Sequence, residues 1–362
     1  MKPSAQRKNS PIDASLHRAD NLRAAGDYPS AARVYRAISR GAAPSDNNRI
    51  RSMCALGDCL RITGDFDGSR KAYLAALQKI SALSSARGHA ASTLSAADAV
   101  RFATDARAGA ALCDKAAGKY ASALARLGTL LKAARRLRDK EAEGFMLWHI
   151  GMCLRFKGSM AEAVGALRTS KKIFARLGNS DGEGFALCGL GGALRADGDI
   201  RSSLESYRAA GRIFAVTGDA YGKAYSLCGT ANALKALGRL RDALALYKRS
   251  AKIYARTGDF SSLAFVYKGI GGCLEGLSGK GRGAASYKRA ASLFRRARDE
   301  RGLLSLYLEM AGKSFDKKIY SAARRIARAA PYVQERKYLK KLAAFQSLSG
   351  VLQPSVAPKW LG

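Results

Sequence analysis

The feature that most constrains this chain is a block of forty residues written out repeatedly between Gly151 and Asp299. The segments LRFKGSMAEAVGALRTSKKIFARLGN (154–179), LRADGDIRSSLESYRAAGRIFAVTGD (194–219) and LKALGRLRDALALYKRSAKIYARTGD (234–259) stand in one register. A period of roughly 20–50 residues marks a solenoid or array, in which each unit buries its apolar face against its neighbours. Such a structure grows by adding units rather than by enlarging one core, so a single array can take up most of the 362 residues.

A glycine between the two halves of each block sets the frame. It is Gly26, Gly64, Gly118, Gly158, Gly198 and Gly238, followed at the same offset by Ser278 and Lys318, with spacings of 38, 54 and then 40 five times. Seven residues earlier every block has Gly or Ala, from Ala19 and Gly57 to Gly191, Ala231 and Gly271. Nine residues later most have a large side chain: Tyr35, Tyr73, Leu127, Leu167, Tyr207, Tyr247 and Tyr287. Within each half the apolar residues recur at three- and four-residue spacing, as in Leu147, Ile150 and Leu154, which is the helical period. A small residue on one helix opposite a bulky one on the next lets two helices of a hairpin approach closely. Glycine inside a helix costs about 0.5–1 kcal/mol against alanine, so Gly189, Gly191 and Gly192 imply such a packing return. The pairs Gly178–Asn179, Gly218–Asp219 and Gly258–Asp259 read as a helix-terminating glycine followed by the N-cap of the next helix.

Small residues around the turn glycine, an aromatic on the second helix and the Gly-Asp link resemble the tetratricopeptide repeat. The spacing of 40 and strings such as GEGFALCGLGGALRADGD (182–199) look most like the longer variety in Pins-type spindle adaptors and rapsyn. The resemblance implies an all-α, right-handed superhelical solenoid of about eight helix hairpins with a C-terminal capping helix. Its first helices would line a concave groove for an extended or helical peptide. The Pins-type groove carries an asparagine six residues before the turn glycine; here only Asn232 matches, and Met152, Gly192 and Gly272 do not.

The expected organisation is a disordered basic tail over 1–13, a repeat array over 14–330, an amphipathic capping helix over 331–352 opened by Pro331, and a tail over 353–362. The longer spacing between Gly64 and Gly118 places about fourteen extra residues near 81–99, a small, polar stretch read as a loop or as lengthened, weak helices. No apolar run reaches membrane-spanning length, and the N-terminus lacks the apolar core of a signal peptide.

Seven cysteines form no secreted disulfide framework, since Cys54, Cys188 and Cys228 share one repeat position and Cys59, Cys113, Cys153 and Cys273 share another. Both positions call for a small buried residue. The expected setting is therefore a reducing, cytoplasmic one. Three scattered histidines and no paired Cys–His spacing nominate no metal site. GIGGCLEG (269–276) falls in helix-packing columns and GKGRG (279–283) reads as a loosened turn; neither follows a strand as a phosphate loop would. No cofactor site and no catalytic residue emerge, and the expectation is a non-enzymatic protein.

Charge points to the partner. Sixty-three Lys and Arg against 28 Asp and Glu leave +35, which implies an acidic partner or surface. Offsets −13, −10, −6 and −3 fall on one helical stripe. That stripe holds the rings Phe145, Phe185, Tyr225 and Phe265, then Trp148 or Lys268, then Asn232 or a glycine, then Arg155, Arg195 or Lys235. As a groove lining it suits a peptide with acidic residues and a few apolar anchors. For each ring taken alone, packing between neighbouring first helices explains the spacing equally well. A second stripe lies on the second helices, with Arg168, Lys172, Arg208, Arg212, Lys248, Lys252 and Lys288, and should be outer surface. The favoured reading is a scaffold or adaptor that holds an acidic segment of a larger assembly. The alternative is a nucleic-acid-associated subunit that uses the outer stripe.

Overall fold

A computed structural model describes residues 11–329, apart from 26, 42–43, 86–93 and 314–316, together with 339–340. Among the described residues every regular element is an α-helix, two to each block. The chain forms two compact units, one of residues 1–117 with 121–130 and the other of 118–120 with 131–362.

The first unit contains α1 (Pro11–Ala24), α2 (Tyr28–Arg40), α3 (Asp46–Ile62), α4 (Phe66–Ser85), α5 (Ala96–Ala116) and the middle of α6 (Tyr120–Arg136). Successive helices from α1 to α5 pack on one another around Tyr35, Ile50, Tyr73 and Phe102. The residues 11–13, expected in the tail, open α1, and the remainder of that tail lies outside the described residues. The extra residues near 81–99 lengthen both flanking helices: α4 runs on to Ser85, and α5 starts behind the Ser95 N-cap.

The second unit contains the end of α6, then α7 (Lys140–Lys157), α8 (Met160–Arg176), α9 (Ser180–Asp197), α10 (Ile200–Thr217), α11 (Ala220–Ala236), α12 (Leu240–Thr257), α13 (Phe260–Ser278), α14 (Ala284–Arg296), α15 (Glu300–Lys313) and α16 (Lys317–Ala329). From α7 onward each helix packs on the next, and the first helices α7, α9, α11, α13 and α15 also touch in succession. Of the expected capping helix only Leu339 and Lys340 are described; Leu339 is buried against α15 and α16, and its carbonyl accepts from the Tyr320 hydroxyl at 3.3 Å. The tail over 353–362 lies outside the described residues.

Local chemistry sets the helix ends. Gly218 and Gly258 close α10 and α12 at φ 77° and 72°, a backbone region that penalises a Cβ. The next residue caps the following helix: Asp219 accepts from the Gly222 N–H at 3.0 Å and Asp259 from the Ser262 N–H at 2.9 Å. At two equivalent links the left-handed residue is Arg138 (φ 56°) or Arg298 (φ 53°) instead of glycine.

Packing between hairpins explains the small and large columns. The ring of Tyr207 lies between Gly191 of its own hairpin and Gly229 of the next, where an added Cβ would come within 2.8 and 2.1 Å of ring carbons. Leu167 sits in the same way between Gly151 and Gly189, and Tyr73 between Gly57 and Gly109. The cysteines are free thiols, all buried except the half-buried Cys228. No helix among the described residues is long and apolar enough to cross a membrane, and no group of three His, Cys, Asp or Glu is placed to hold a metal ion.

Candidate functional site

The first-helix stripe of the second unit divides into rings and cations. Phe185 on α9 packs against Trp148 of α7, Phe214 of α10 and Tyr221 of α11, with ring centroids 5.7, 5.0 and 6.2 Å apart. Phe145 lies edge-on to Trp148 and His149, and Phe265 lies edge-on to Phe294. Phe145, Trp148, Phe185 and Tyr225 are half-buried, and Phe265 is 40% exposed. These rings therefore serve the seams between hairpins and keep part of their surface open. The Trp148 Nε1 is a buried donor with no acceptor among the described residues.

Arg155, Arg195 and Lys235 stand in the last turns of α7, α9 and α11, where the helix dipole favours a positive charge. All three are half-buried. The Arg155 guanidinium lies over the Phe156 ring, 4.3 Å from its centroid, and rests on Gly192 of α9. Burial raises the Tyr207 phenol to about 12, and Arg195 and Arg155 pull against that rise. Around Cys228, whose thiol burial pushes up to about 12, Arg195, Lys235 and Lys268 act in the opposite sense. Arg155, Arg195 and Lys235 thus hold the same place in three successive first helices.

Lys268 has a different role from its neighbours. Expected as a groove cation, it is 6% exposed, with Nζ 3.4 Å from Glu309 Oε2 and donating to Ser305 Oγ at 2.9 Å, both on α15. Burial lowers its pKa while Glu309 holds it up. A buried ammonium requires a partner of this kind, so Lys268 joins α13 to α15. Asn232 is also engaged: its Oδ1 accepts from the Tyr247 hydroxyl at 2.6 Å.

That contact belongs to a rule in the repeat. Where the position nine after the turn glycine is tyrosine, the position six before it is Asp20, Asp58, Gly192, Asn232 or Gly272; where it is Leu127 or Leu167, the partner is Leu112 or Met152. The hydroxyls of Tyr35 and Tyr73 go to Asp20 and Asp58, the latter at 2.7 Å. Pairing the two columns in the sequence reveals this rule, which comparing each column only with itself hides.

On the second helices Arg168, Lys172, Arg208, Arg212, Lys248, Lys252 and Lys288 are all exposed, and none is in an ion pair among the described residues. Arg168, Lys172 and Arg212 edge a cleft of about 550 Å³ between α8 and α10, floored by Leu187 and Leu190 of α9. The rings of these helices, among them Phe174, Tyr207, Phe214, Tyr247, Tyr254 and Phe294, are buried.

No family model matches the sequence, and no curated protein matches it. Solved structures do match in fold. A Rap protein complexed with competence and sporulation factor superposes with a TM-score of 0.64 at 10% identity, over 95% of this chain and 96% of that one. The Rap conjugation gene regulator of plasmid pLS20, in complex with the Phr* peptide, gives 0.59 at 11% identity, over 94% and 98%. The apo form of RapI gives 0.51 at 10% identity, over 97% and 95%. The fold is of the tetratricopeptide-repeat type. At these identities the likeness is one of architecture, and the tetratricopeptide hairpins here carry side chains of their own.

Proposed function

We propose that the first-helix face of the second unit binds an acidic segment of a partner protein, and that the chain is a non-enzymatic scaffold within a larger assembly. The observation that carries this reading is the placement of half-buried Arg155, Arg195 and Lys235 in the last turns of three successive first helices that also carry half-buried rings. Cations give charge complementarity and register, and rings give apolar anchors. One chain of similar fold is complexed with the Phr* peptide, which supports a peptide as the ligand class. A fluorescein-labelled dodecapeptide alternating Glu and Leu should bind in an anisotropy titration, and its Gln counterpart should bind at least tenfold more weakly. Arg155→Glu, Arg195→Glu and Lys235→Glu together should abolish binding with unchanged helical circular dichroism. Retained affinity in that variant would refute the groove.

The outer stripe supports a second reading, association with nucleic acid. Its cations are exposed and unpaired, and the face lacks the aromatic anchors that a protein interface favours. If six to ten phosphates are contacted, affinity for a DNA duplex should fall about 10³–10⁵-fold between 50 and 200 mM salt. A flat salt response would rule it out.

A further inference from the structure

The first helices of the second unit form a row, α7, α9, α11, α13 and α15, in which each touches the next. The two ends of that row also meet. Arg301, in the first turn of α15, lies over the Phe156 ring at the C-terminal end of α7, 4.7 Å from its centroid. It lies over the Tyr120 ring as well, 5.1 Å from that centroid, and donates through Nη1 to the Tyr120 hydroxyl. Tyr120 and Phe156 stack on each other, with centroids 5.7 Å apart and planes 18° from parallel. Tyr120 and Arg301 are 181 residues apart in the chain, yet all three residues belong to the second unit.

The stacking of repeats explains which ends meet. Helices in equivalent places of successive hairpins run the same way, and the 18 residues of α7 span about 27 Å. Because the last turn of α7 meets the first turn of α15, the row closes on itself with a rise of about one helix length. Closure encloses the first-helix face. The Phe156 ring also carries Arg155, one of the three groove cations, 4.3 Å from its centroid, so the junction borders the proposed binding surface directly. An acidic segment in the middle of a larger partner cannot thread in end-on and has to cross this junction.

The junction is built differently from the seams. Between α13 and α15 the buried Lys268 is paired with Glu309, whereas Tyr120, Phe156 and Arg301 are each half-buried. Cation–ring contacts and single hydroxyl bonds between partly exposed groups are individually modest, so the junction can part while the hairpins stay packed.

We infer that Arg301, clasped by Tyr120 and Phe156, is a latch that holds the row of first helices closed and releases to let an acidic partner segment enter or leave the groove. This rests on the groove reading above and names how access to that site is controlled.

Two measurements test it. With p-benzoylphenylalanine in place of Tyr120, irradiation of the free protein should cross-link that position to α15, read by peptide mass spectrometry; absence of any link to α15 overturns the latch. The second measurement uses the Glu–Leu dodecapeptide in two forms, free and placed between two fluorescent protein domains that prevent end-on entry. In biolayer interferometry Arg301→Ala should bind and release the flanked form about tenfold faster than the wild type, because a required opening slows both steps. The free peptide should exchange at similar rates with both proteins. Loss of a positive charge by itself would slow association with an acidic segment, so acceleration cannot come from the charge. Tyr120→Leu, which keeps Arg301, should accelerate the flanked form likewise, and the double variant should add nothing further, since both substitutions open one contact. Unchanged rates for the flanked form, or equal acceleration of both forms, overturn the latch and leave the groove standing. Absence of binding of either form by the wild type overturns the groove, and the cross-link then decides whether the row is latched.

Discussion

Gly269→Ala puts the interlocking of hairpins to a quantitative test. A Cβ at that position on α13 would lie 2.4, 2.6 and 2.8 Å from Cζ, Cε1 and Cε2 of Tyr247. Carbon atoms rest about 3.5–4.0 Å apart, so the ring would have to retreat by about 1 Å. It has little freedom to do so. Tyr247 is fully buried, packed with Ala231 and Ala243, and its hydroxyl is held at 2.6 Å by Asn232. Overpacking of this kind costs about 1–3 kcal/mol. The better helix preference of alanine offsets about 1 kcal/mol of it. The net loss should therefore be up to about 2 kcal/mol. Gly165→Ala is the control, because an added Cβ there on α8 meets nothing within 4 Å. It should stabilise by up to about 1 kcal/mol. Urea unfolding followed by far-ultraviolet circular dichroism should therefore separate the two variants in opposite directions from the wild type. If Gly269→Ala proves as stable as Gly165→Ala, ring-on-glycine contact is not what sets the distance between hairpins.

Two further outcomes follow from the backbone and from burial. Arg298 holds a left-handed φ of 53° where the equivalent Gly218 and Gly258 stand at other links, so Arg298→Gly should stabilise by up to about 1 kcal/mol; a lower melting temperature would contradict this. Stability should hold between pH 6 and 8 and fall at alkaline pH. Burial raises the thiols of Cys59 and Cys228 to about 11 and about 12 and the phenol of Tyr207 to about 12, above their ordinary values of 9.0 and 10.0. A raised folded-state pKa contributes stability that is complete below the unfolded value and is lost as pH rises through the folded one, so the decline should begin near pH 9. Lys268, with its pKa lowered by burial, acts in the opposite sense as a single group. Urea midpoints at pH 7.5, 9 and 10.5 read the effect, and an unchanged midpoint at 10.5 would contradict it.

Much of this architecture was legible in the chain because the forces behind it are local. Helical periodicity, the positive φ of Gly218 and Gly258 and the caps at Asp219 and Asp259 each depend on a few consecutive residues, and the offset of 40 repeats them. Burial of the cysteines was likewise readable from their shared columns. The site was legible only as a stripe. The column containing Trp148 and Lys268 treats the two alike, yet Lys268 is tied to Glu309 of α15 while Trp148 remains half-buried between α7 and α9. Asn232 matched a peptide-binding position, and its acceptor oxygen is engaged by Tyr247 within its own hairpin.

The sequence by itself determined the helices, their ends and the period at which hairpins stack, since those follow from short-range sterics and hydrogen bonding. Only the tertiary structure decided which polar groups are consumed inside the seams and which, like Trp148 Nε1 and Arg155 Nε, are buried with no acceptor among the described residues. The physical reason is that a side chain's availability depends on what the neighbouring helices satisfy. That is set by contacts between residues of different helices, which a repeat register aligns but does not pair.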